Sequence, residues 1–86
     1  MQYLILCRSL TNAQRASLLL ERRGIRASVV KAPLSLRGNG CGYAVSLWRN
    51  AREALVLLEE SGLLSGRVYR RGEDGVYTEV TGRDLS

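Results

Sequence analysis

Cysteine is the residue type in this chain best suited to chemistry, and one of the two stands in an unusual setting, Gly38-Asn39-Gly40-Cys41-Gly42. Glycine on both sides opens backbone conformations closed to residues with a Cβ, so an exposed turn can present the Cys41 thiol. The thiolate is the reactive form, and a helix N-terminus or a nearby guanidinium lowers a thiol's pKa. Arg8 and Arg37 are candidate cations, and the amides freed by Gly40 and Gly42 are candidate donors to a sulfur anion. Such a thiolate can accept a sulfur or selenium atom as a persulfide-type adduct and pass it on. The same residues also admit a plainer reading, in which the glycines serve a wide hairpin connection and Arg37 is a surface charge. Cys7, on an apolar stretch, reads first as a small buried residue.

Other chemistries lack their residues. The chain has no histidine, which removes the commonest general base and metal ligand and disfavours a Cys-His hydrolase. Two thiols alone make a poor zinc site, so neither a metal nor a cofactor is expected. The glycine-rich stretch lacks the lysine and the spacing of a phosphate-binding loop. Net charge is +5, and twelve of the thirteen basic residues are arginine. They are scattered along the chain and not interleaved with aromatics, so composition does not favour a nucleic-acid partner. Trp48 and the four tyrosines read as core or interface residues rather than a stacking platform.

With 86 residues, 45% of them apolar, the chain fits one small folded domain, residues 1–80, with a fraying tail at 81–86. No apolar run reaches the length of a membrane span, and Tyr3-Leu4-Ile5-Leu6-Cys7 is too short for a signal-peptide core. A cytoplasmic protein with reduced thiols is the expectation.

The elements that must position Cys41 follow in order. Residues 2–8 read as a strand apolar on both faces, which suits a central position or a face covered by the C-terminal strand or another subunit. Thr11-Asn12-Ala13-Gln14 has the form of a capping box, and Ala13, Ala16, Leu19 and Leu20 mark an amphipathic helix stopped by Gly24. Residues 25–30 alternate as a strand. Lys31 to Gly42 is the longest stretch without helix or strand periodicity and holds the only proline, Pro33. Residues 43–48 alternate again. Asn50-Ala51-Arg52-Glu53 has the form of a second capping box, opening a helix with Ala51, Ala54, Leu55 and Leu58 on one face and Gly62 at its end. Residues 67–71 and 76–80 flank Gly72-Glu73-Asp74-Gly75 as a hairpin.

This order predicts an α+β fold, a ferredoxin-like βαββαβ sandwich with an antiparallel sheet, both helices on one face, and an extra C-terminal hairpin strand. Strand order 4-1-3-2 is the leading arrangement. There the first strand ends where the third begins, so Cys7, the start of the first helix and the loop carrying Cys41 share one edge.

From about Tyr3 to Tyr69 the sequence resembles the selenium/sulfur carrier protein-like family. The resemblance lies in the hydrophobic opening strand Tyr3–Cys7, the helix start Thr11-Asn12-Ala13 with Leu19-Leu20, Gly24-Ile25 and Val29. It continues through Pro33 and Leu36 to Cys41-Gly42 opening an apolar strand, the most specific feature. Lys31 departs from a family proline, the loop is one residue longer, and Arg37 stands where a serine is usual. These departures bear on substrate and partner choice more than on fold.

The resemblance implies that Cys41 bears the chalcogen with Gly42 as its partner. It implies a carrier rather than a turnover enzyme, loaded by a cysteine desulfurase-like donor and unloaded onto a sulfur or selenium acceptor protein. Gly40, Gly42, Arg37, Pro33 and Cys7 are the expected surroundings of the cargo, and a homodimer through the open sheet face is a further expectation. Two other functions compete: a regulatory module binding a small molecule or protein, with Cys41 incidental, and an arginine-rich nucleic-acid binder.

Overall fold

The computed structural model describes residues 2–37, 42–63 and 67–80, and for Arg37 the backbone alone. Among them are five strands and three helices: β1 (Gln2–Leu6), α1 (Leu10–Arg22), β2 (Ser28–Lys31), α2 (Leu34–Arg37), β3 (Tyr43–Leu47), α3 (Ala51–Glu60), β4 (Val68–Arg71) and β5 (Tyr77–Val80). The strands form one antiparallel sheet in the order β2-β3-β1-β4-β5. The fold is therefore α+β with β1 central. Residues 81–86, expected to fray, lie outside the described residues.

Register explains why β1 is apolar on both faces. Ile5 stands opposite Val45 on one side and Val68 on the other. These residues join Ala13, Ala16 and Leu20 of α1 and Ala54, Leu55 and Leu58 of α3 in the main core. Both long helices thus bury their apolar stripes on one face of the sheet. Burying Leu20 and Leu58 fully contributes about 1.5–3 kcal/mol each.

Leu4 points to the other face and is only 2% exposed. It belongs to a second, smaller cluster with Ala32 and Ala44, against which Leu6, Val30, Leu36 and Tyr77 pack. Leu36 comes from α2 and Tyr77 from β5. The C-terminal strand does not lie over this face as expected: β5 extends the sheet as its edge beside β4 and reaches the cluster only through Tyr77. A single helical turn inside the Lys31–Gly42 stretch, where no periodicity announces a helix, adds Leu36. Leu34–Arg37 is too short to display a helical pattern in sequence, and the carbonyl of Pro33 accepts the Leu36 amide at 2.9 Å to close the turn.

The helix starts differ from the expected capping boxes. Ser9, not Thr11, caps α1: its Oγ accepts the Asn12 amide at 3.1 Å. Thr11 lies inside the first turn. Asn50 does precede α3, but it sits at φ 58° and its side chain makes no cap bond. The helix ends match expectation and share one device. After α1, Gly24 (φ 80°) donates to Glu21 and Ile25 to Leu20; after α3, Gly62 (φ 72°) donates to Glu59 and Leu63 to Leu58. Each is a Schellman closure with its glycine in the left-handed region and an apolar residue folded back on the core.

Bounds shift elsewhere. β1 ends at Leu6 rather than residue 8, and β2 spans Ser28–Lys31, so Ile25 and Ala27 are buried ahead of the strand rather than within it. Ser17 of α1 donates from Oγ to the Ala27 carbonyl at 3.2 Å, tying that approach segment to the helix. The β4–β5 hairpin turns as expected, with Gly75 at φ 81° and the Asp74 carboxylate accepting the Val76 amide at 3.0 Å.

Candidate functional site

Cys41 and Gly40 lie outside the described residues, as do Gly38 and Asn39. The structure places the two anchors of their loop. The amide of buried Ala32 donates to the Gly42 carbonyl at 2.7 Å, extending the β2–β3 ladder past its last pair, Lys31 and Tyr43. Residues 33–41 therefore form the connection beyond that bond. Pro33, half-buried, opens it, and Arg37 closes α2 within it.

Gly42 is held close to the end of the central strand. The Cys7 amide donates to the Tyr43 carbonyl at 3.1 Å, one step beyond the Leu6–Ala44 pair. On the other side of β1 the Leu6 amide donates to the Arg67 carbonyl at 2.9 Å. Two residues after Cys7, Ser9 caps α1. The end of β1, the start of α1 and the chain leading out of Cys41-Gly42 therefore meet at one edge of the sheet, with the exposed Arg8 between Cys7 and Ser9.

Cys7 itself is 5% exposed. Its thiol donates to the Ile5 carbonyl at 3.5 Å and packs in the main core. The backbone of Cys7, rather than its sulfur, makes the link to β3. Of the expected site residues, Gly42 is bonded to Ala32, which precedes Pro33, and its neighbour Tyr43 is bonded to Cys7.

A family model described as "Putative Se/S carrier protein-like" matches residues 2–70. The chain belongs to this family. The match takes in β1 through all but the last residue of β4, both anchors of the Cys41 loop and Cys41-Gly42 itself; β5 lies beyond it. No curated protein and no solved structure matches the chain. No helix among the described residues is long and apolar enough to cross a membrane.

At the opposite end of the sheet lies a feature that sequence reasoning missed. Trp48, expected in the core or an interface, is 61% exposed. It follows β3 directly, where the alternation that buries Val45 and Leu47 has ended, and it precedes the exposed pair Arg49-Asn50. Three open clefts share Trp48 as a wall. One of about 340 Å³ adds Gln2, Arg71, Gly72 and Glu73. One of about 570 Å³ adds Gly24, Arg26, Arg49 and Asn50, and one of about 410 Å³ adds Glu21, Arg26, Ala27, Ser28 and Ser46. The one available sequence signal was position: a tryptophan at a strand end followed by polar residues.

Proposed function

We propose that this chain is a carrier that holds sulfur or selenium on Cys41 and delivers it to an acceptor protein. Family membership supports the reading most directly. It is also supported by the bonding of the loop's exit, Gly42-Tyr43, to the end of β1 beside the first turn of α1. Helix amides and a guanidinium at such an edge favour the thiolate over the thiol.

Loading is a sulfur transfer with no net redox change. The Cys41 thiolate attacks the outer sulfur of a donor persulfide; the new S–S bond forms as the donor's S–S bond breaks, and the donor leaves as a thiolate. Unloading repeats the exchange toward the acceptor, and selenium follows the same route. A cysteine desulfurase-like donor and a sulfur or selenium acceptor are the partners in this reading, and the cytoplasm is its setting. Gly40 and Gly42 would leave their amides open to the cargo, with Arg37 and Pro33 shaping the loop and Cys7 supporting its base.

The fold reading that goes with it is a ferredoxin-like βαββαβ sandwich extended by β5. The neighbouring strands β2-β3-β1-β4 support this reading, in which α2 and β5 are additions. Self-association through the second sheet face belongs to the same proposal. Leu36 and Tyr77 already pack over the centre of that face, so less apolar area remains for a partner than the sequence suggests.

The test is intact mass after incubation with a cysteine desulfurase and its substrate cysteine, which together supply the donor persulfide, with the pH dependence of Cys41 alkylation in a Cys7→Ala background. A gain of one sulfur on Cys41 and a thiol titrating below the ordinary ~8.5 are expected. An ordinary titration with no adduct would sink the carrier and promote the binding-module alternative.

A further inference from the structure

The Trp48 clefts form a surface of their own, at the end of β3 remote from Gly42. Six residues of extended chain separate the two positions, roughly 20 Å at strand rise. The largest of the three clefts is lined by Trp48, Arg26, Arg49, Asn50 and Gly24, two guanidinium groups with no carboxylate. On another side of the same ring stands Arg71, accompanied by Glu73. Among the described residues the only ion pair joins Arg67 to Glu79. Arg26, Arg49 and Arg71 therefore have no carboxylate partner within that set.

An indole exposed over three-fifths of its surface is costly to leave facing water, and here it is not part of an apolar patch. Its neighbours Gln2, Ser28 and Asn50 are polar. A protein-docking hot spot would place the aromatic in an apolar centre ringed by polar groups. A ring projecting among arginines instead suits a ligand that carries both a flat π-surface and negative charge. Arg26 lines two of the three clefts, beside Arg49 in one and Glu21 in the other, and Arg71 lines the third beside Glu73, so guanidinium groups meet a ligand on more than one side of the ring. A chain of nucleotides has charge to offer on more than one side; a single nucleotide does not.

We infer that Trp48, with Arg26, Arg49 and Arg71, is a stacking platform for one base of a single-stranded nucleic acid, the flanking phosphates lying on the arginines. The platform stands independently of the carrier chemistry at Cys41. Scattered arginines argue against such a partner in the sequence, but folding gathers these three around the ring.

Trp48 is the only tryptophan, so its fluorescence reports the site alone. The experiment titrates the full chain with a labelled twelve-nucleotide oligouridylate and its deoxythymidylate counterpart, reading anisotropy and tryptophan quenching together. Saturable quenching is expected at the same midpoint as the anisotropy change. Trp48→Ala should weaken binding roughly ten-fold or more and Trp48→Phe should restore part of it. An Arg26→Ala, Arg49→Ala double variant should lower the salt slope by about 1.4. Circular dichroism confirms folding of each variant, and the exposed positions leave the core intact. Three results would each overturn the inference: anisotropy without quenching, unchanged affinity in Trp48→Ala, or uridine monophosphate binding as tightly as the oligomer. Equal competition by an acidic polypeptide would do the same, since charge alone would then account for binding.

Discussion

The amide of Cys7 and the carbonyl of Tyr43 lie 3.1 Å apart, joining the last extended residue after β1 to the first residue of β3. The two cysteines of the chain thereby acquire different roles. Cys7 enters the link through its backbone while its sulfur turns into the core, and Cys41 lies two residues before Tyr43.

Substitution should separate these roles. Cys41→Ser is expected to abolish chalcogen loading, measured by intact mass, with the melting temperature unchanged. Cys7→Ala should keep loading and instead lower stability by about 1 kcal/mol, because a packed sulfur is lost from the core. Loading lost in Cys7→Ala and kept in Cys41→Ser would reverse the assignment.

The paired Schellman closures make a second prediction. No atom lies within 4 Å of a Cβ added at Gly24 or Gly62, yet both have φ in the left-handed region. The cost of Gly24→Ala or Gly62→Ala is therefore conformational and not steric, roughly 1 kcal/mol each by urea denaturation. Asparagine, which tolerates this region, should cost less than alanine at both sites. Equal costs for the two substitutions would contradict the backbone account.

Helix starts are separable in the same way. Ser9→Ala should destabilise by about 1 kcal/mol, while Thr11→Ala should stay within about 0.5 kcal/mol. At Asn50 the usual rule inverts. Its side chain caps nothing and its backbone is left-handed, so Asn50→Gly should be neutral or slightly stabilising. A loss near 1 kcal/mol there would mean that the side chain caps α3 in solution.

Two leucines test the second face of the sheet. Leu4 is buried there at 2% exposure and Leu34, on α2, is 80% exposed. Leu4→Ala is expected to cost 2–5 kcal/mol by the range for buried leucines, and Leu34→Ala about 0.5 kcal/mol or less. A large loss at Leu34 would show that this side chain is covered in solution.

Much of this architecture was legible because it rests on short-range rules. Alternation along Tyr43–Leu47, the helical spacing of Ala51, Ala54, Leu55 and Leu58, and the glycines after each long helix are local patterns, and each lies where the pattern puts it. The capping boxes misled because Thr-x-x-Gln and Asn-x-x-Glu specify a start only to within a turn. Ser9 was available two residues earlier, and Asn50 took a left-handed backbone and makes no side-chain cap bond. The single turn α2 carried no periodic signal, since four residues cannot show one.

The sequence by itself determined the two long helices, the strands, the hairpin and the family, because propensity, periodicity and glycine placement act within a few residues. It also marked Cys41, through the glycines beside it. Only the tertiary structure decided which partners distant residues would have. Register set Ile5 between Val45 and Val68, brought Tyr43 to the Cys7 amide and folded Leu36 and Tyr77 over Leu4. Arg26 and Arg71, far from Trp48 in the chain, came to line clefts that share its exposed indole for the same reason. Contacts of this kind depend on how a twisted sheet closes the distance between remote segments, and no local pattern encodes that distance.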